Sequence, residues 1–433
     1  MRPSRALDRA ALAATLILPL FLLYGRSIAE VMIAITDIAF LIQSARERNW
    51  AWLGTAWMRI GLAWWAWLVL CSLPFPPFAN AGLHPLGEAL ATVRFLILAA
   101  ALEWRVLGSP ASRRWIGRSV SLAFLWIGLE SVQQYATGHN VFGQPRGGDG
   151  ALTGPFDKVR AGPPFSRLFF PVVLPPVNRL LAGKGILRHA GGILIMLVAI
   201  AVQVLIGQRM PVLLMGLGLF VTFLLMPRLR LLMVGGAVLA LALIGASIVI
   251  SPPTYYRLVE KFSHQMGHFR ESQYGELYVR AAVIASEHPL LGRGFDGFRD
   301  VCPEPRYFHD LTFAVTGHDR PGFVSQGAAV CNEHPHNHYL QAATESGLPG
   351  LILYAALSLA WLIVLARGLG RPPDARRLGL FIACLVVVWP IASTSSYVDM
   401  PMMGWFFLLL GWGLAEARAA RLTRNPARTG AGG

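Results

Sequence analysis

Three histidines lie within five residues in the C-terminal third of the chain. His334, His336 and His338 alternate with Pro335 and Asn337 in a polar segment that precedes a long apolar run. A neutral imidazole takes a proton from a hydroxyl group near neutral pH. This segment is therefore a candidate for general-base chemistry, and the residue types alone leave open which histidine acts.

Basic side chains that suit an anionic substrate occur in three other polar segments. Arg209 lies in a short turn between two apolar runs, Arg280 lies in a stretch with helical periodicity, and Lys158 and Arg160 lie in a loop. The planar guanidinium of Arg matches phosphate oxygens and stays charged. We therefore consider these four residues as the candidates for binding a phosphate-bearing substrate.

Several motifs of phosphate and metal chemistry are missing from the sequence. It contains no Gly-Lys-Ser/Thr phosphate loop, no His-Glu-x-x-His, no Cys/His set with zinc spacing and no Asp-x-Asp pair. These motifs hold nucleotides, catalytic zinc and metal-bound diphosphates. We therefore predict chemistry that uses no ATP, no metal and no other cofactor.

The composition shows what must position these side chains. Of 433 residues, 55% are hydrophobic and 14% are charged, whereas soluble proteins carry about 25% charged residues. The sequence has twelve apolar runs, over residues 8–24, 28–43, 54–75, 86–104, 115–135, 165–182, 190–206, 210–227, 230–250, 348–366, 376–396 and 402–417. Runs of this length indicate membrane helices. We predict an all-α polytopic membrane protein with about 12 transmembrane helices.

The distribution of basic residues orients this bundle. Arg and Lys concentrate in alternate loops and in both tails, which the positive-inside rule places in the cytoplasm. We predict spans one to nine within 1–250, a large outer loop domain with short helices at 251–347, spans ten to twelve within 348–417, and a cytoplasmic tail at 418–433. The net charge of +15 therefore reflects topology, and nucleic-acid binding is not expected without a soluble basic domain.

Two of the four cysteines, Cys302 and Cys331, lie in the outer loop. An oxidising compartment permits a disulfide between them, and closing a loop of about 30 residues stabilises it by roughly 3–4 kcal/mol. The alternative is two free thiols, and the sequence does not decide between them.

Three motifs in order resemble the family of bacterial O-antigen ligases, within a superfamily that includes O-antigen polymerases and protein O-oligosaccharyltransferases. The first motif is Gly207-Gln208-Arg209 after a middle span. The second is Arg280 ahead of the His288-Pro289-Leu290-Leu291-Gly292-Arg293-Gly294 segment. The third is His336-Asn337 followed by Gly347 and Gly350.

The resemblance implies a multi-pass glycosyltransferase of the bacterial inner membrane, with its active site facing the periplasm and both termini in the cytoplasm. It would transfer a glycan from undecaprenyl diphosphate to a sugar hydroxyl of lipid A-core, in lipopolysaccharide biosynthesis and with inversion. A histidine would act as base, with Arg209 and Arg280 on the diphosphate. The motif spacing favours His336, His338 remains a close second, and Asn337, Gly347 and Gly350 are expected to be structural.

Three functions remain open at this point. A ligase is favoured by the Gly347-x-x-Gly350 ending of the motif. A polymerase or a protein O-oligosaccharyltransferase would use the same donor with a different acceptor. A transporter of the lipid-linked glycan would need charged residues along a path through the membrane, whereas the charged cluster here lies on one side. No partner protein can be inferred.

Overall fold

The chain folds as an assembly of α-helices in the computed structural model. The structure describes residues 3–78, 82–148, 150–307, 327–331, 334–370 and 372–424. It is 78% helical and contains no β-strand within those residues. Residues 425–433 of the predicted tail lie outside the described residues.

The helices, in chain order, are α1 Pro3–Tyr24, α2 Arg26–Arg46, α3 Ala56–Cys71, α4 Leu83–Ala91, α5 Val93–Ala101, α6 Pro110–Thr137, α7 Gly162–Ala182, α8 Ile186–Ile206, α9 Arg209–Leu225, α10 Arg230–Ile250, α11 Pro252–Tyr255, α12 Lys261–Gly267, α13 Gln273–Glu287, α14 Gly297–Val301, α15 His338–Ala366, α16 Ala375–Val388 and α17 Met402–Arg424. One-turn helices and two π-turns, Leu102–Val106 and Tyr256–Glu260, connect some of them.

Each predicted apolar run coincides with at least part of a helix. Among the described residues, six helices are long and apolar enough to cross a membrane: Arg5–Tyr24, Arg26–Arg46, Leu83–Val106, Ile186–Ile206, Pro227–Ile250 and His338–Ala366. Two shorter apolar helices are Ala56–Cys71 and Arg209–Leu225. The prediction of an all-helical protein with several candidate membrane helices is confirmed for the described residues. The total of twelve spans stays a prediction.

Two helices have bounds that differ from those of the predicted apolar runs. The run at 376–396 was expected to be one span, but α16 ends at Val388 and a non-helical stretch leads to α17. Trp389 is extended, with ψ 128°, because a residue that precedes a proline is excluded from the helical region. Helix α15 begins at His338 rather than at 348, and it is kinked at Ser346 and Gly347.

Helix α17 lies at the centre of the bundle core. All of its residues from Met402 to Ala415 are buried, including Trp405 and Trp412. It packs against α5, α16 and the π-turn that follows α5. Helix α10 lies further from the centre of the bundle than α17. It is highly apolar and mostly exposed, as is expected for a helix that faces lipid.

Residues 273–307 and 327–331 contain a second, smaller core. Helix α13 begins where the Ser272 hydroxyl accepts a hydrogen bond from Gly275 N at 3.1 Å, and it contributes Leu277, Ala281 and Ile284 to this core. Cys302 and Cys331 form a disulfide with a Cα–Cα distance of 5.9 Å. Helix α13 also packs against α15, so the small core is attached to the helix that carries His338.

Candidate active site

His336 lies in a sharp turn immediately before α15. Its φ angle is 54°, in the left-handed region that non-glycine residues rarely adopt. The turn is closed because Thr394 N donates to the His336 carbonyl oxygen at 2.9 Å. Left-handed residues outside glycine occur often at functional sites, where the surrounding structure holds them.

Asn337 explains why helix α15 begins where it does. Its side-chain oxygen accepts from Tyr339 N at 2.9 Å and from Leu340 N at 3.1 Å, which is the bonding pattern of a helix N-cap. Its amide nitrogen donates to the Pro390 carbonyl oxygen at 2.7 Å. Asn337 therefore joins the start of α15 to the stretch after α16 and holds the His336 turn between them.

The His336 ring packs among other rings. Its centroid lies 4.6 Å from that of His334 and 5.5 Å from that of Tyr274, both in edge-on arrangements. Burial lowers the pKa of His336, and a hydrogen bond to the backbone of Thr394 opposes this shift. Burial also lowers the pKa of His334, to about 3. Both rings are therefore neutral near pH 7, the form in which imidazole accepts a proton.

His338 has different surroundings although it lies only two residues away. Its side chain is 2% exposed. Nε2 lies 2.8 Å from the Ser395 carbonyl oxygen, and Nδ1 lies 2.9 Å from the Tyr354 hydroxyl. Because a carbonyl oxygen only accepts, Nε2 carries the hydrogen and Nδ1 accepts from Tyr354. Both ring nitrogens are thus bonded within the protein.

A buried polar network continues from His338 along α15. The Gln341 amide nitrogen donates to Glu345 Oε1 at 2.9 Å and to Ser396 Oγ at 2.8 Å. The Tyr397 hydroxyl donates to the other carboxylate oxygen of Glu345. The network fastens the first two turns of α15 to residues 395–397. Sequence reasoning missed Tyr397 and Ser395, although Pro390 was a signal that this stretch leaves the helix.

The kink in α15 is the docking point for the second sequence motif. Arg293 N and Gly294 N donate to the carbonyl oxygens of Thr344 and Glu345, each at 2.8 Å, and Leu348 N donates to the Pro289 carbonyl oxygen at 2.8 Å. Two separate motifs of the sequence are therefore one structural unit, in which residues 289–294 fill the kink.

Two glycines permit this close backbone contact. Gly347 has φ 66° and ψ −166°, a combination that is essentially restricted to glycine, and a Cβ there would collide with the Leu290 carbonyl. Gly292 has φ 64°, and a Cβ there would collide with the Glu345 backbone. Gly350 packs on the Ser346 side chain.

Arg209 lies at the first position of α9, after the turn at Gly207. Gly207 has a left-handed φ of 72°, and the Arg209 guanidinium donates to the Gln265 side chain of α12. Helix α12 is followed within a few residues by Tyr274, the ring that contacts His336. One continuous segment, 265–274, therefore contacts both the Arg209 turn and the His336 turn.

The loop that carries Lys158 and Arg160 joins the same end of the bundle. Leu152 N donates to the Ile206 carbonyl oxygen at 3.1 Å, which ties this loop to the residue before the Arg209 turn. Lys158 is exposed and Arg160 is half-buried. The loop that carries two of the four predicted basic residues is thus bonded to the end of the helix that precedes the Arg209 turn.

Arg280 is placed elsewhere. Its side chain is fully buried, and its guanidinium pairs with Glu276 at 2.9 Å. It also donates to Cys302 O at 3.4 Å and contacts Cys331 Sγ at 3.1 Å, so it lies beneath the disulfide. The role in diphosphate binding that the sequence predicts for Arg280 stays a prediction; in this structure its guanidinium lies within the small core and is paired there, because a buried charge requires a partner.

The described residues contain no group of three or more His, Cys, Asp or Glu side chains that would hold a metal ion. The expectation of metal-free and cofactor-free chemistry stays a prediction.

The fold and this arrangement of side chains define a multi-pass helical membrane protein. Residues 194–355 match the model of the protein family described as O-antigen ligase. This match confirms the predicted resemblance to the O-antigen ligase family over residues 194–355, and that family suggests a glycosyltransferase-like membrane enzyme. Comparison with curated protein sequences yields no match.

Proposed function

We propose that the protein is an O-antigen ligase. It transfers a glycan from undecaprenyl diphosphate to a sugar hydroxyl of lipid A-core. The observation that carries this proposal is the extent of the family match: residues 194–355 include both Arg209 and His336, and the segment 265–274 links these two residues in the fold.

His336 is the proposed general base. Its ring is neutral near pH 7 because burial lowers its pKa, and its exposure is intermediate. It takes the proton of the acceptor hydroxyl as the hydroxyl oxygen attacks the anomeric carbon. The bond from that carbon to the diphosphate oxygen breaks, undecaprenyl diphosphate leaves, and a single displacement inverts the anomeric centre.

Arg209 is the proposed partner of the diphosphate, with Lys158 and Arg160 nearby. Negative charge grows on the diphosphate as the glycosidic bond breaks, and a guanidinium held in place stabilises it. The bond from Arg209 to Gln265 gives the guanidinium a defined orientation. The donor is already activated as a diphosphate ester, so the reaction needs no ATP.

Arg280 and His338 act indirectly in this proposal. Arg280 holds α13 against the disulfide through Cys302 and Cys331, and α13 carries the Tyr274 ring that packs on His336. His338 holds α15 against residue 395. Both residues keep the His336 turn in position rather than touching the substrate.

The proposed orientation follows from the charge distribution. With both termini in the cytoplasm, the positive-inside rule places residues 251–347 and the Arg209 turn in the periplasm and residues 418–433 in the cytoplasm. The protein is then an inner-membrane enzyme that works on the periplasmic face, where it meets both lipid substrates.

The test is reconstitution of purified protein with an undecaprenyl-diphosphate-linked glycan and purified lipid A-core. We expect glycan on the core, in an amount unchanged by a chelator and lowered at least about a hundredfold in the His336→Ala variant. His338→Ala and Glu276→Gln serve as controls for indirect effects, and their melting temperatures are measured alongside.

The other outcomes separate the remaining functions. A longer lipid-linked glycan without transfer to the core indicates a polymerase, and glycan on added protein acceptors indicates a protein O-oligosaccharyltransferase. Activity that is lost with chelator and restored by Mg²⁺ contradicts the metal-free mechanism. Movement of the intact donor between leaflets with no covalent product indicates a transporter.

A further inference from the structure

A polar cavity lies at the far end of α15 from the His336 turn. It lies between the ends of α7 and α17 and the loop that joins α15 to α16, and its volume is about 650 Å³. Helix α15 has 29 residues, so about 40 Å of helix separates this cavity from His336. The cavity therefore lies outside the proposed active site.

The walls of this cavity are mainly basic. Arg113, Arg179, Arg376 and Arg377 line it together with Asp374 and Glu416. Four guanidinium groups and two carboxylates leave a formal charge of +2. A concave site with excess guanidinium groups attracts an anion, and the planar guanidinium matches the oxygen atoms of a phosphate group.

Three of the four arginines are held in place by the protein. Glu416 bridges Arg113 at 3.2 Å and Arg376 at 3.5 Å, so one carboxylate serves two guanidinium groups. Arg377 donates to the carbonyl oxygens of Gly368 at 2.6 Å and Arg367 at 2.8 Å. These contacts fix the wall before a ligand arrives, which reduces the ordering cost of binding.

Arg179 differs from the other three. It is exposed on α7, and no hydrogen bond or ion pair links it to the residues that the structure describes. Its guanidinium is therefore available to a ligand. Arg113, Arg376 and Arg377 are bonded within the protein and contribute positive charge to the cavity wall.

We propose that this cavity binds a phosphate group, in the first instance the headgroup phosphate of an anionic phospholipid. The cavity has the size of a ligand site, and it lies at the ends of apolar helices whose flanking segments contain Arg367, Arg376, Arg418 and Arg421. Basic pockets between membrane helices on the positively charged side bind anionic headgroups. A bound lipid would fasten α7, α16 and α17 to one another at this face.

The test uses full-length protein purified in detergent, with phosphatidylglycerol or phosphatidylcholine added in micelles. We expect phosphatidylglycerol to raise the melting temperature and phosphatidylcholine to leave it unchanged. Arg179→Gln should weaken the apparent affinity for phosphatidylglycerol about tenfold, because one charge-assisted contact is lost.

Arg228→Gln is the matched control. It removes the same charge from another exposed arginine of the loops predicted to be cytoplasmic without touching the cavity, and we expect it to bind phosphatidylglycerol as the wild type does. Equal weakening by both variants would mean diffuse surface attraction and would overturn the proposal.

A second experiment distinguishes a lipid headgroup from a soluble phosphate compound as the ligand. Inorganic phosphate is added to wild type and to Arg179→Gln in phosphatidylcholine micelles. Stabilisation that depends on Arg179, together with no preference for phosphatidylglycerol, assigns the site to a soluble phosphate compound. If neither probe produces an Arg179-dependent shift, the cavity is not a phosphate site.

Discussion

The turn around His336 and the buried network that starts at His338 are adjacent in sequence and opposite in character. In the turn, an imidazole of intermediate exposure packs against other rings in a left-handed backbone. In the network, an imidazole that is 2% exposed has both nitrogens bonded to the protein. An imidazole whose two nitrogens both form hydrogen bonds within the protein supports the structure. A neutral imidazole in a partly open turn is suited to accept a proton from a substrate.

The largest effect is expected from removing the proposed base. His336→Ala should lower transfer by about 10²–10⁴-fold and leave the melting temperature close to that of the wild type. His338→Ala should instead lower stability by about 1–3 kcal/mol, because Tyr354 and the Ser395 carbonyl lose their buried partner. Transfer assays and thermal unfolding of both variants measure this. A well-folded but inactive His338→Ala beside an active His336→Ala would reverse the assignment.

Substitution of Arg209 tests whether the diphosphate is held by a guanidinium. Arg209→Ala should lower transfer by about 10²–10³-fold, and Arg209→Lys should restore little of it, because an ammonium group cannot form the paired contact. Gln265→Ala is the control, since it removes only the residue that orients Arg209, and it should cost less than Arg209→Ala. Full activity of the Lys variant would reduce the role of Arg209 to charge alone.

The kink that supports both regions can be tested at its glycines. Gly347→Ala should cost at least about 3 kcal/mol in stability, because the backbone angles exclude alanine and the new Cβ meets the Leu290 backbone. Gly350→Ala meets Oγ and Cβ of Ser346 at the kink itself, and Cβ cannot rotate away, so this variant should also destabilise the kink without touching residues 289–290. Gly216→Ala, which has open space, is the control. A Gly347→Ala variant that unfolds at the same temperature as Gly216→Ala would argue against this docking.

The smallest effect concerns the pH profile. A base must be neutral to act, and burial lowers the pKa of His336. The acid limb of kcat/KM should therefore have its midpoint below the ordinary histidine value of about 6.5, so that activity persists as the pH falls to 6. The residual activity of His336→Ala should lack this limb. A midpoint at or above 6.5 would show that the imidazole is not buried as described.

Much of the architecture could be predicted from the sequence because it depends on local composition. Apolar runs of about 20 residues form helices in lipid wherever they occur, and the periodicity of residues 273–287 was sufficient to predict α13. The end of α16 at Val388 also has a signal in the sequence, which is Pro390. The apolar run continues to residue 396, so its length alone predicts a longer helix than the one that forms.

The roles within the site could not be assigned in this way. His338 is bonded to Tyr354, 16 residues further on, and to Ser395, 57 residues further on. Arg280 is buried by a disulfide whose second cysteine lies 51 residues further along the chain. No spacing rule in a single sequence brings such partners together.

The sequence by itself determined that this chain is a helical membrane protein with a histidine-rich turn, a set of arginines and the motif order of the O-antigen ligase family. Hydrophobicity, charge and motif order are properties of residues in series. The tertiary structure alone decided that His336 lies in an open turn while His338 is enclosed, and that Arg280 is buried while Arg209 lies beside Gln265. Burial and hydrogen-bond partners depend on which distant segments meet, and the packing of the helices decides that.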